Sequence, residues 1–135
     1  MKDRIRKLLK DAARKAHEAG ALPSGDFPVI EIEEPKIEAH GDLATNFAMV
    51  MAKIQKMAPR RIAEITLAHL EDAADLIART EIAGPGFINF HIQPAAWAPL
   101  LKAIPAAGDH YGAANIGQGR KVQVEFVSSN PTGPL

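Results

Sequence analysis

The chain contains no cysteine. That excludes disulfides and zinc–thiolate sites and fits a reducing compartment. It carries no excess charge of either sign, since 16 Lys and Arg balance 16 Asp and Glu. A basic field over the whole domain is therefore absent, and any nucleic-acid contact has to be local. No apolar run reaches transmembrane length, and the N-terminus lacks the apolar core of a signal peptide. A cytoplasmic location and no membrane partner are expected. The five histidines (His17, His40, His69, His91 and His110) include no His-x-x-x-His pair, so no metal site is expected. A P-loop is missing too. Gly84-Pro85-Gly86 and Gly117-Gln118-Gly119 are lone glycine pairs, too little to suggest phosphate binding. Ser128 and Ser129 lie in no nucleophile-elbow pattern, which leaves a hydrolase triad without support.

What is present suits a folded domain. Apolar residues make up 47% of 135 positions and charged ones 24%, enough to build a core and keep it in water. The charges are segregated. Residues 1–15 carry seven basic groups against Asp3 and Asp11, and residues 26–42 carry six acidic groups against Lys36. Ile5, Leu8, Leu9, Ala12, Ala13 and Ala16 form a helical stripe over 2–19, with Gly20 as the stop. The basic groups on the remaining surface read either as a solvated helix face or as a phosphate-contacting one.

Val29 to Glu33 alternates as a strand, with Ile30 and Ile32 on one side, and Pro35 closes it. Asp42 is placed to cap a helix over about 43–57, whose apolar face holds Leu43, Phe47, Val50, Met51, Ile54 and Met57. Pro59 starts a further helix, with Arg60 and Arg61 exposed at its head. Residues 76–83 and 87–92 read as two strands joined by Gly84-Pro85-Gly86, a link short enough to force an antiparallel hairpin. A last helix is expected over 94–104, burying Trp97, Leu100, Leu101 and Ile104, kinked by Pro99 and ended by Pro105. Residues 105–119, rich in Gly, Ala and Pro, read as a linker.

The expected fold class is thus α+β, a small antiparallel sheet packed with about four helices in residues 1–104. The linker leads to residues 120–135. There Val122, Val124 and Phe126 alternate as a strand that breaks at a polar loop of Ser, Asn, Pro and Gly. A strand entering such a loop is how many nucleotide-binding α/β domains begin, so this stretch reads as the first strand of a truncated Rossmann-type catalytic domain. A lone strand of that kind is expected to be poorly anchored, or to associate with a neighbouring molecule.

Two constellations could carry chemistry. On the strand 87–92, alternation puts Ile88, Phe90 and Ile92 on one face and Phe87, Asn89 and His91 on the other. A ring beside an amide and an imidazole suits an unpaired base, the ring stacking and the amide reading a base edge. The competing reading has a helix covering this face and simply burying Phe87. In the terminal stretch, Glu125 with Ser128, Ser129 and Asn130 suits a cationic small molecule, and a plain polar turn would use the same letters.

The run Val124-Glu-Phe-Val-Ser-Ser-Asn-Pro-Thr-Gly-Pro-Leu135 closely resembles the opening of the catalytic domain of arginyl-tRNA synthetases. Gly41-Asp-Leu-Ala-Thr-Asn-Phe-Ala-Met49 with Ala52-Lys53, Ile82-Ala-Gly-Pro-Gly-Phe-Ile-Asn-Phe90 and Tyr111-Gly112 resemble that family's N-terminal additional domain. The resemblance implies a full-length class I enzyme that ligates L-arginine to tRNA(Arg) with ATP and Mg2+. It implies that the N-terminal domain touches the tRNA D-loop through Phe87 and Asn89. His91 joins them only by alternation, and Arg60 and Arg61 are candidates for nearby positive charge. Glu125, Ser128, Ser129 and Asn130 match arginine-contacting positions. Asn130, Pro131, Thr132, Gly133, Pro134 and Leu135 lead into the signature motif. The signature histidines themselves are not in the sequence, so the chain is expected to be inactive alone, to bind no cofactor and to be monomeric. The alternative is a structural module supporting the catalytic domain without touching RNA.

Overall fold

A computed structural model describes residues 1–71 and 73–123. Residues 1–99 form one compact unit. It opens with helix α1 (Lys2–Glu18), which buries Ile5, Leu9, Ala12, Ala13 and Ala16. Past Ala19 the helix closes with paired bonds, Gly20 N–H to His17 carbonyl and Ala21 N–H to Ala16 carbonyl, both 2.8 Å. These satisfy carbonyls left over at the helix end.

Residues 29–33 do not form the expected strand. Ile30 and Ile32 are buried and their neighbours exposed, so the alternation holds, but only Glu33 pairs, in a single bridge to Ala44. The segment is instead tied down by side chains. Arg6 Nε donates to the Ile30 carbonyl at 2.9 Å and Thr45 Oγ1 to the Glu31 carbonyl at 2.6 Å.

A second correction concerns residues 42–46. Leu43–Thr45 is a short strand, β1, and helix α2 runs only from Phe47 to Gln55. Asp42 does not cap it. Its carboxylate accepts the Ile92 N–H at 2.7 Å, while Thr45 Oγ1 accepts the Phe47 N–H at the helix start. The shorter helix buries Phe47, Ala48, Met51 and Gln55, and leaves Val50 and Ile54 exposed rather than in the core. Helix α3 (Pro59–Ala68) follows with proline in its first turn, where the missing N–H costs nothing.

Strands β2 (Ile77–Ala83) and β3 (Phe87–Ile92) form the expected hairpin. β1 pairs along the other edge of β3, so the sheet order is β1-β3-β2, antiparallel throughout. Helices α2 and α3 pack on β3, and α1 packs on α3. Ile88 and Phe90 are fully buried in the resulting core with Phe47, Met51 and Ile62.

Helix α4 (Pro94–Ala107) begins in this unit, burying Ala96 and partly burying Trp97. Two expectations fail along it. Leu101 and Ile104 are exposed, because the described residues beyond 100 build no core of their own. The helix also passes through Pro105, whose φ is helical although it forfeits one bond. Residues 120–123 carry no regular structure. The strand expected over 120–126 otherwise falls outside the described residues, as do Glu125, Ser128, Ser129, Asn130 and the 130–135 motif.

The hairpin turn makes a close contact with α3. Gly86 has φ +145°, and a Cβ there would lie 2.7 Å from Pro59 Cβ, whereas at Gly84 (φ +50°) a Cβ meets nothing within 4 Å. Gly84→Ala should cost about 1 kcal/mol, from φ alone. Gly86→Ala should cost about 3 kcal/mol, since only glycine holds that conformation and the turn must also lift off α3. Urea midpoints of the two variants check the order.

Candidate nucleic-acid interface

β3 is hydrogen-bonded on both edges, so its side chains are confined to two faces. Opposite Ile88 and Phe90 lie Phe87, Asn89 and His91. Phe87 is 41% exposed and Asn89 only 3% exposed. The reading of this face as a platform for an unpaired base is thus corrected for the amide, which is buried. It sits on the same face as the ring but deeper, between Ala44 of β1 and Glu81 of β2 in the register.

Depth does not close it in. Phe87 and Asn89 both line a cavity of about 460 Å³. Such a volume is usual for small-ligand clefts, about 300–1,000 Å³. Ala44, Ala83 and the turn residues Gly84 and Pro85 also line it, and the segment from Glu33 to Ile37, with His40, forms the rest. Among the described residues, the Asn89 Nδ2 is the buried side-chain polar atom with no hydrogen-bond partner. A buried donor left unmet costs about 1–3 kcal/mol. The nitrogen itself is closed off from solvent, and other atoms of Asn89 line the cavity.

The other candidates separate. His91 is half-buried and does not line the cavity. Its Nε2 lies 2.9 Å from an Arg79 guanidinium nitrogen, which can only donate, so that histidine nitrogen is the acceptor. Arg60 donates to the Gly84 carbonyl at 2.8 Å and so places its charge against the turn at the cavity edge. Arg61 is instead engaged by Glu64 at 3.3 Å. The basic face of α1 is largely neutralised. Lys2, Arg4, Arg6, Arg14 and Lys15 pair with Glu34, Asp75, Asp3, Asp11 and Glu71.

Sequence reasoning missed the 33–40 wall. The signal for it was weak. An acidic run with one lysine gives no period, and only Gly41 hints at a close backbone approach.

Residues 3–92 match the family model of the arginyl tRNA synthetase N terminal domain. The chain belongs to the arginyl-tRNA synthetase family. It is 55% identical over its whole length to an arginine–tRNA ligase of Desulfosudis oleivorans and 53% identical to one of Citrifermentans bemidjiense. It spans 24% of the length of each of these relatives. A crystal structure of the Plasmodium falciparum arginyl-tRNA synthetase matches 68% of this chain and 16% of its own, with TM-score 0.56 and 13% identity. At that identity the likeness concerns the fold alone. No described helix of this arginyl-tRNA synthetase domain is long and apolar enough to cross a membrane.

The cavity wall carries one readable titration. A hydrogen bond from Lys2, reinforced by the attraction of its charge, holds the Glu34 carboxyl below its ordinary 4.5. A depressed carboxylate contributes stability above its unfolded value and loses it as pH falls through the lower folded value. Lys2→Met should return Glu34 to near 4.5. Carboxyl-carbon NMR titration of the two proteins reads the change, and an unmoved Glu34 would contradict the pairing.

Proposed function

We propose that this chain is the tRNA-contacting N-terminal part of an arginine–tRNA ligase, and that β3 takes an unpaired base of the tRNA D-loop. The complete enzyme would join L-arginine to tRNA(Arg) at the expense of ATP, with AMP as a product. Mg2+ would arrive with ATP. Glu125, Ser128, Ser129 and Asn130 would meet the arginine from the opening of the catalytic domain, after a linker over 105–119. The 135 residues contain no His-x-Gly-His motif, so the chain alone would be inactive. A cytoplasmic monomer suits these roles, with residues 120–135 as the segment through which the isolated chain would associate.

The observation that supports the reading best is the buried, unpaired amide of Asn89 beside a cavity rimmed by a half-open phenylalanine ring. The ring offers a stacking surface that any base can use, and the Asn89 amide would give a base edge a polar partner. A purely structural module accounts poorly for Phe87, which keeps 41% of its surface exposed.

The test uses the full-length enzyme. Phe87→Ala and Asn89→Ala should each lower kcat/KM for tRNA roughly tenfold, in the range of about 1–3 kcal/mol per stacked base. Unchanged aminoacylation in both would remove the base site. The 135-residue chain, assayed separately, should show no ATP–pyrophosphate exchange.

A further inference from the structure

The wall facing Phe87 and Asn89 is built from a segment that has no place in the hydrophobic core. Ile37 is 57% exposed although it is a large aliphatic residue, and it lines the same cavity as the Phe87 ring. Pro35 and Lys36 line it as well. Lys36 has no ion-pair partner among the described residues, in contrast to five of the seven α1 cations.

Both ends of this segment are fastened to the sheet. At the near end Glu33 and Ala44 exchange two backbone bonds, 2.9 and 2.8 Å. At the far end the Asp42 N–H bonds the Phe90 carbonyl at 2.9 Å, and the Asp42 carboxylate accepts the Ile92 N–H at 2.7 Å. Gly41 makes that second attachment possible. Its φ is +88°, and a Cβ there would stand 2.7 Å from the Phe90 carbonyl oxygen. So the segment spans between two fixed points on β1 and β3, and the cavity lies between it and the strands that carry Ala44, Asn89 and Phe87.

We propose that residues 34–40 are the second jaw of the base site, and this rests on the reading of β3 given above. The inserted base would lie between the Phe87 ring and the aliphatic surface of Pro35 and Ile37, with its edge on Asn89. Lys36 meets the phosphate of the same nucleotide at one lip, and Arg60 stands at the turn on the other. Glu33 also lines the cavity, and its carboxylate suits a base amine or a ribose hydroxyl rather than a phosphate. Asp42 and Gly41 are positioning residues, since they hold the jaw and touch no nucleotide. An apolar surface opposite a ring lets a base be covered on both faces, which is why an exposed isoleucine is useful here.

The experiment compares full-length Ile37→Ser, Lys36→Met, Phe87→Ala and the Ile37→Ser/Phe87→Ala double variant. Ile37 and Lys36 are exposed, so matched urea midpoints should show the fold intact. Ile37→Ser should lower kcat/KM for tRNA about fivefold, with KM for tRNA raised. The double variant should lose less than the product of the single losses, because both groups grip one base. Lys36→Met should reduce the slope of log affinity for tRNA against log salt by about one. Wild-type values in both single variants, with Phe87→Ala impaired, would overturn the second jaw and leave the base site standing. The same result with Phe87→Ala also at wild type would remove both. Multiplicative losses in the double variant would mean that Ile37 and Phe87 act on different groups, and would overturn the jaw as well.

Discussion

Strand β3 governs this domain because both of its edges are occupied. β1 and β2 bond it from either side, so a slip by one residue would break two ladders and turn Ile88 and Phe90 out of the core. The helices α2 and α3 fix which face is inward. Everything on the outer face follows from that choice. Phe87, Asn89 and His91 face away from the helices because their neighbours cannot, and the only question left is what covers them.

The cover is uneven. Toward Ile92 the outer face carries the half-buried His91, whose ring is bonded by Arg79. In the middle, Asn89 is nearly out of contact with water, yet its amide nitrogen lacks a partner. At the hairpin end Phe87 stands half in solvent. Burial on this face is deepest at Asn89, and from there the face opens toward Phe87. A protein selected for stability alone would place an apolar side chain at 89 and avoid a buried unmet donor. Keeping a polar group there makes sense when a ligand supplies the acceptor.

Much of this was legible beforehand, for physical reasons that differ by residue. The hairpin was readable because Gly84-Pro85-Gly86 allows only a tight reversal, and the two faces of β3 because strand alternation is local. Helix α1 was readable because its apolar stripe is long. The role of Asp42 was not. Its spacing before an apolar run imitates a cap, and only the tertiary fold reveals that the Ile92 N–H, fifty residues on, claims its carboxylate. Residues 29–33 misled in the same way. Alternating burial is shared by a strand and by an extended segment pinned from one side, and the sequence does not record which backbone groups find partners. The depth of Asn89 and the existence of the 33–40 wall are also long-range facts. They depend on β1 joining β3, and three residues of β1 resemble the start of the helix that follows them.

Charge completes the argument about what such a site can contribute. Five of the seven basic groups on α1 sit with carboxylates, which accounts for a neutral chain that looks basic at its head. Exposed pairs of this kind add little stability, about 0–1 kcal/mol each, but they remove the cations from the pool available to phosphate. Near the cavity, the cations without a carboxylate partner among the described residues are Lys36 and Arg60. Two phosphate contacts release few counterions, so the domain would add only modest, weakly salt-dependent affinity. Its effect would come instead from whether a base fits between a ring and an aliphatic wall. Under the function proposed above, that would be selection among tRNAs, and it would leave most of the binding strength to the rest of the enzyme.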